Sequence, residues 1–547
     1  MLRILLASIG LAATFSAFPL FENIGPQAGL DFRLISGSAS KAYILESMGG
    51  GVGFIDYDRD GWLDVFLVNG STLESERLGN NTATSRLFRN NHDGTFTDVT
   101  DKAGVRTSHW GMGICGGDVN NDGFEDLYLT NYGPNVLLLN RGDGTFRDFT
   151  KESGTDDTAW SSSCAFADYD RDGDLDLYVS NYLEFDINHL PQDSPLCRFR
   201  GFKVQCGPRG LTQARGRFYE NDGSGKFADV TEKTGISKAR PYYSLGVVWG
   251  DYDNDGDADL FVANDSTPNY LFRNNGDKTF SEVALQSGVA VSDDGREQAG
   301  MGVDFGDYDN DGDLDLIVTN FSEDYNTLYR NDGQGRFSDV SFAAGIAEPS
   351  WQYLAWGVQF VDLDLDGFLD MVVANGHVYP EVDIHQIGTY RQRNQIYRNL
   401  RNGKFEEIAS KAGPGFRELY SSRGLAAGDM NNDGQIDFLV ANLDEAPTLL
   451  QNKGVAGNWL MIKLKGTRSN RSAIGARVTI KAGQLTGMRE VKSGSSYQSQ
   501  SDLRLHFGLG AAKTVDEVKI RWPGGQTQSL RNVKGNQILT VEEKADE

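Results

Sequence analysis

Histidine and cysteine are scarce in this chain of 547 residues, with 6 His and 4 Cys. So few His, with no nucleophile elbow and no zinc motif beside them, leave little for imidazole or zinc chemistry. After the first 18 residues no apolar run approaches 18, so no transmembrane segment is expected in the mature chain. Basic residues are in the minority, 52 Lys and Arg against 77 Asp and Glu, for a formal net charge of −25. That balance argues against nucleic acid as a partner. The four Cys fit an oxidising compartment.

What the chain has in quantity is aspartate and glycine in one repeated phrase: Asp, any residue, Asp or Asn, any residue, Asp, Gly, two more, Asp. Five copies are all-Asp: Asp56-Asp58-Asp60-Asp64, Asp168-Asp170-Asp172-Asp176, Asp251-Asp253-Asp255-Asp259, Asp307-Asp309-Asp311-Asp315 and Asp362-Asp364-Asp366-Asp370. Two carry Asn at the third position: Asp118-Asn120-Asp122-Asp126 and Asp429-Asn431-Asp433-Asp437. Hard cations such as Ca²⁺ take about six to eight oxygen ligands. Carboxylates at positions 1, 3 and 5 converge only if the chain curls tightly, which Gly at position 6 permits. The Asp at position 9 can close the shell. Up to seven Ca²⁺ sites are therefore expected, weaker at the two Asn loops, where one ligand lacks charge. Asp and Gly also suit turns without metal, but four unpaired carboxylates in one turn would repel strongly.

These are not helical Ca²⁺ loops, which close with Glu at position 12. Position 12 here is Leu67, Leu129, Val179, Val262, Val318, Val373 and Val440, inside strand-like runs. Each loop is read as the turn of a β-hairpin. Two further strand-like pieces follow, such as Arg86–Asn90 and Thr95–Thr100 in the first unit. Four strands per unit and a pitch near 50 residues predict an all-β fold, a seven-bladed β-propeller. The seventh unit supplies only three pieces. The missing one is found at the other end, Phe21-Glu22-Asn23-Ile24, so the N-terminal strand is expected to close the last blade and remove sheet edges.

The domain reading is a signal peptide over 1–17, the propeller over 18–454 and a small β-sandwich-like domain over 455–547. The apolar stretch behind Arg3 is too short to span a bilayer comfortably and reads as an export signal. Export to the cell surface, periplasm or medium suits Ca²⁺ loops. Residues 459–547 hold 15 Lys and Arg against 8 Asp and Glu. This basic domain either docks on the acidic propeller, recruits an acidic glycan, or simply presents a solvated face. Cys197 and Cys206 bracket a short segment and are expected to pair. Cys115 and Cys164, on adjacent pre-loop strands, either pair or pack as small apolar residues.

The loops with their Phe-x-Asp-Val-Thr strands resemble the FG-GAP or VCBS repeats of integrin α-subunit propellers. The C-terminal phrases Gly457-Asn458-Trp459-Leu460, Gly475-Ala476-Arg477-Val478, Ser493-Gly494-Ser495-Ser496-Tyr497, His506-Phe507-Gly508-Leu509-Gly510 and Arg521-Trp522-Pro523-Gly524-Gly525 resemble an ASPIC/UnbV domain. The combination is similar to the cartilage acidic protein family, in a bacterial-type form without an EGF-like tail. The resemblance implies secreted Ca²⁺-binding proteins with adhesive or matrix roles and no established reaction.

Two functions follow. The first is a Ca²⁺-stabilised module binding an extracellular glycan or protein. The alternative is a propeller-fold polysaccharide lyase or glycosidase. Either would use the face opposite the metal turns, where loops 69–86, 182–215 and 376–394 vary in length. Trp110, Trp160, Tyr242, Tyr243, Trp351 and Tyr353 gather near that face, as a ligand rim or as packing between blades. For catalysis the best group is the loop His377 to His385, with Tyr379, Glu381 and Asp383. The enzyme reading requires His377, Tyr379 and Glu381 to converge in a pocket. No residue is assigned a catalytic role.

Overall fold

Apolar strands on either side of each Asp loop pair across it, and the hairpins so formed build sheets. The computed structural model describes residues 18–190 and 197–544. The expected signal peptide, 1–17, lies outside the described residues.

Seven four-stranded antiparallel sheets follow the repeat. The first comprises Val52–Ile55, Asp64–Leu67, Arg86–Asn90 and Phe96–Asp98. Pairing of Ile55 with Asp64 puts the Asp loop at the first turn. Five more sheets lie within residues 110–148, 161–229, 244–282, 303–339 and 355–407. The seventh takes Ser422–Gly428, Asp437–Asn442 and Thr448–Asn452, and its fourth strand is Phe21–Asn23. Phe21 lies opposite Asn452 and Asn23 opposite Leu450. Burial grades across each sheet. Every residue of Trp110–Gly117 is buried, whereas in the fourth strand Phe146–Asp148 only the Phe is. That gradient explains why the inner strands read as unbroken apolar runs and the outer ones as Phe-x-Asp.

In six of the seven units one asparagine ties neighbouring sheets together. The side chain of Asn140 donates to the carbonyls of Tyr57 (2.8 Å), in the preceding Asp loop, and Glu125 (3.1 Å), in its own. Asn221, Asn274, Asn331 and Asn399 repeat the pattern onto Val119, Tyr169, Tyr252 and Tyr308. Asn90 of the first sheet reaches Met430 of the seventh (2.9 Å). Two otherwise unpaired buried carbonyls are satisfied each time, which is worth more than the same bond in water.

The C-terminal part forms a three-stranded sheet, Leu505–Gly510, Asn458–Lys465 and Ile538–Glu542, and a four-stranded one, Leu485–Glu490, Arg477–Ala482, Thr514–Arg521 and Thr527–Lys534. Leu460, Ile462, Val478, Phe507, Val518 and Ile520 form the core between them, continuous with Cys115, Tyr128, Phe166 and Leu177 of the repeats. The basic domain is therefore docked, the first of the three readings of its charge. Its segment 493–502 threads among the inner strands. Ser496 exchanges both backbone bonds with Val303, Gln500 bonds Val52 and Phe54, and the Gln498 carbonyl accepts from Ile114. Further bonds reach Ser162, Val358 and Ala427, so six of the seven inner strands share this segment. Gly51 allows the approach: a Cβ there would lie 2.3 Å from the Gln498 carbonyl oxygen.

Candidate metal centre

Each Asp loop is shaped by its own backbone. Position 6 is Gly at positive φ, from 84° at Gly434 to 97° at Gly256, and its N–H donates to the position 1 carboxylate, as Gly367 does to Asp362 at 2.8 Å. Position 4 is also left-handed in all seven loops although it is never Gly: Arg59, Asn121, Arg171, Asn254, Asn310, Leu365 and Asn432. Asn tolerates that region better than most side chains, and it stands at four of the seven positions. Position 9 is clamped from both sides. In the fifth loop Asp315 accepts Asn331 N–H at 2.8 Å and Tyr308 N–H at 3.1 Å.

These constraints converge the carboxylates. One oxygen from each of Asp56, Asp58 and Asp60 lies within 4.8 Å of the others. The same holds for Asp168, Asp170 and Asp176; for Asp251, Asp253 and Asp255; for Asp307, Asp309 and Asp311; and for Asp362, Asp364 and Asp370. Of the remaining predicted ligands, Asp64, Asp259 and Asp315 are buried at the base of their loops, whereas Asp172 and Asp366 are tied to backbone N–H groups at the turn. Buried oxygens on Asp58, Asp64, Asp168, Asp251, Asp309 and Asp364 have no hydrogen-bond partner. Burial, then the neighbouring carboxylates, pushes Asp168 and Asp362 up to about 7. Asp64 goes to about 9, chiefly through burial. Such a group resists ionising unless a cation is supplied, so these five loops could hold a metal ion, and oxygen-only donors fit a hard one.

The two Asn loops differ. The Asn120 amide donates to Asp122 at 2.9 Å, and the Asn431 amide to Asp433 at 2.9 Å. An internal amide donor stands there, where the all-Asp loops set a third carboxylate and some bring in a cation from outside, as Arg401 does to Asp366 at 2.6 Å and Arg398 to Asp364 at 2.7 Å. Asp118, Asp126, Asp429 and Asp437 remain buried in these loops, but neither loop brings three carboxylates together as the five do.

Cations of the C-terminal domain reach the same face. Lys463 pairs with Asp56 at 2.8 Å, and Arg521 pairs with Asp251, whose carbonyl also accepts from Arg477 (2.6 Å). Arg504 donates to the Asp429 carbonyl at 2.8 Å, and Gly508 N–H to Asp362 at 3.0 Å. The opposite charges of the two regions thus meet at the loops themselves. Composition left docking as one of three readings and did not show that these residues carry it.

On the other face lie the groups of the catalytic alternative. His377 is buried, its Nδ1 accepting Tyr379 N–H at 3.1 Å and its Nε2 3.2 Å from Ser322 Oγ. Burial and the nearby Arg423 and Arg200 hold its imidazole down at about 3. His385 stacks on Phe202 at 3.8 Å. Of His377, Tyr379 and Glu381, the His377 and Tyr379 rings lie 5.3 Å apart, but only Tyr379 lines a cavity, and Glu381 begins a short helix, so the three do not share one pocket. Of the six predicted rim aromatics, Trp110, Trp160 and Tyr243 are buried, Tyr242 stacks on Tyr270 and Tyr353 lies beneath Arg393. Trp351 alone among the six is exposed. The rim is mostly packing. Both cysteine pairs are disulfides, Cys115–Cys164 and Cys197–Cys206.

Comparison with known proteins agrees with the repeat. The FG-GAP-like repeat matches residues 56–129, 118–179, 210–262, 251–318, 307–373 and 382–460, and the ASPIC and UnbV family matches 466–547. Cartilage acidic protein 1 of Homo sapiens is 26% identical over 326 residues, 57% of this chain and 45% of that protein. That of Xenopus tropicalis is 25% identical over 328 residues, 57% and 47% respectively. The chain spans about half the length of the curated relatives it matches. Among solved structures, an Agrocybe aegerita lectin described as recognising non-reducing terminal N-acetylglucosamine has a TM-score of 0.40 at 15% identity, covering 67% of this chain and 87% of that one. YCF48 bound to D1 peptide has a TM-score of 0.41 at 8% identity, covering 81% and 100%. With the repeat matched across most of its length and the C-terminal domain matched behind it, the chain belongs to the cartilage acidic protein family of FG-GAP-repeat and ASPIC/UnbV proteins.

Proposed function

We propose that this chain is an exported, Ca²⁺-stabilised binding module: a seven-bladed β-propeller over 18–454, closed by Phe21–Asn23, with a docked domain over 455–547. The observation that carries it is the converged, partnerless carboxylate oxygens of five loops on one face, opposite a face of long variable loops. Closure is supported by the Phe21–Asn452 pairing, by the Asn90–Met430 bond and by one threading segment shared by six inner strands. Two disulfides suit export, and no helix among the described residues is long and apolar enough to cross a membrane.

In this reading the ligands are the predicted carboxylates with Asn120 and Asn431, seven sites in all, and the partner is an extracellular glycan or protein held by the variable loops. Bound Ca²⁺ would supply the positive charge that lets the loop carboxylates ionise together. The chain's own contribution is to pin positions 1 and 9 between two strands, so that the variable loops sit on a rigid frame. The test is twofold. Protein dialysed against calcium and then against buffer should retain ions in stoichiometric amount; retention near zero overturns the metal assignment. A glycan and protein array should give hits, and their absence overturns the binding role.

A further inference from the structure

A cavity opens on the variable face, with a volume of about 350 Å³, inside the range of small-ligand pockets. Its apolar wall is Tyr182, Met301, Phe321, Trp356 and Val378, and Cys206 with Pro208 bring in the disulfide-closed hairpin. Behind that wall, Tyr497 of the threading segment meets the Trp356 ring edge-on at 4.8 Å. Four carboxylates face this apolar space: Asp265, Glu297, Glu323 and Asp324. Among the described residues lining it there is no Lys, Arg or His.

The carboxylates are not equally neutralised. Glu323 pairs with Arg200 at 2.6 Å, and Glu297 lies 4.0 Å from Arg209, both arginines being exposed. Deeper in, Asp265 accepts only neutral donors, Tyr182 Oη at 2.6 Å and Ser266 Oγ at 2.9 Å. Asp324 likewise accepts the Gln298 amide at 2.7 Å and Tyr325 N–H at 2.9 Å. Within ion-pair distance of these two there is no cation among the described residues. Their neutral donors orient the carboxylates without discharging them. Burial raises both carboxyl groups above their ordinary range, a penalty that an entering cation would relieve.

We propose that this pocket binds a primary ammonium carried on an apolar carbon frame, the cation held between Asp265 and Asp324 and the frame laid against Trp356, Met301 and Phe321. Tyr182, Phe321 and Trp356 put aromatic rings in the lining, one face of Trp356 already lying under Arg423 at 4.0 Å. A lysine side chain and a free arylalkyl amine share this chemistry. The inference rests on the reading of the variable face as a ligand face, and it narrows the ligand's charge.

The test uses the full chain, titrated by calorimetry and saturation-transfer NMR. Three probes are compared: phenethylamine, 2-phenylethanol as its uncharged counterpart, and acetyl-Gly-Lys-Gly-amide. At least one ammonium probe should bind about 10-fold or more tightly than the alcohol, as a charge-assisted hydrogen bond requires. The tighter of the two ammonium probes names the source. Asp265→Asn should weaken that probe by about 10-fold or more and leave the alcohol unchanged. Should Asp265→Asn fail to fold, Asp324→Asn takes its place, together with a fall in ammonium affinity as salt rises. Affinity of both ammonium probes no greater than that of the alcohol, no binding of either ammonium, or full affinity in the carboxamide variants overturns the proposal. Ion retention and array hits on the same preparation succeed or fail independently of these titrations, so the wider reading and this one are separable.

Discussion

At the scale of single residues, the loops place buried carboxylates where each is a liability alone and an asset around a cation. Asp309 has one orphan oxygen and lies between Asp307 and Asp311. Asp309→Ala should lower the melting temperature by several degrees with calcium present, at about 2–4 °C per kcal/mol or less for a chain this long. In chelator the variant should match the parent or exceed it, because a like charge has been removed. Equal losses in both conditions would contradict the role. A second residue carries a pH signature. His377 is held at about 3 when folded and returns to about 6.5 when unfolded. Between those values the unfolded chain binds the extra proton, so stability is lost as pH falls from 6.5 towards 3, by about 1.4 kcal/mol per unit. His377→Gln should lack that component. The urea midpoint gap between parent and variant should therefore narrow between pH 7 and pH 4.5, and an unchanged gap would refute the assignment.

At the scale of elements, the third strand of each unit does more than fill a sheet. Its terminal Asn clamps the position 9 carboxylate through its backbone and the neighbouring loop through its side chain. Asn331→Ala should leave the Tyr252 and Leu314 carbonyls without their partner, costing about 1–3 kcal/mol. Asn452 stands at the same place in the seventh unit, but its amide nitrogen has no partner. Asn452→Ala should cost clearly less in urea denaturation, and equal costs would show that the bonds to the adjacent loop are not what matters. The recurring sequences Arg-Leu-Phe-Arg-Asn, Tyr-Leu-Phe-Arg-Asn and Thr-Leu-Tyr-Arg-Asn held this signal. Read alone, they mark a strand; only the neighbour's carbonyl shows why the strand ends in Asn. Position 4 of the loops is similar, since Asn at four of seven places hinted at left-handed backbone but Arg59, Arg171 and Leu365 hid it.

At the scale of the molecule, the repeats and the C-terminal domain share one core and one set of charges. Tyr497 is fully buried, its hydroxyl on the Met48 carbonyl at 2.7 Å. Truncating a buried aromatic of this size costs about 3–5 kcal/mol. Calorimetry of the parent should therefore show one cooperative transition, and Tyr497→Ala should lower it or split it in two. Two separate transitions already in the parent would mean that the threaded segment does not couple the parts.

The chain's own order of residues determined the seven Asp loops, their hairpins, the strand missing from the last unit and its supply from residues 21–23. Those features are local or periodic, and the physics that makes them acts over a few residues. It also determined that a basic region follows an acidic one. Only tertiary structure decided that the basic domain covers the loop face, that residues 493–502 thread among the inner strands, that Cys115 and Cys164 pair, and that His377 is packed rather than reactive. Each depends on which side chains meet across hundreds of residues, through burial and charge neutralisation that no spacing in the sequence encodes.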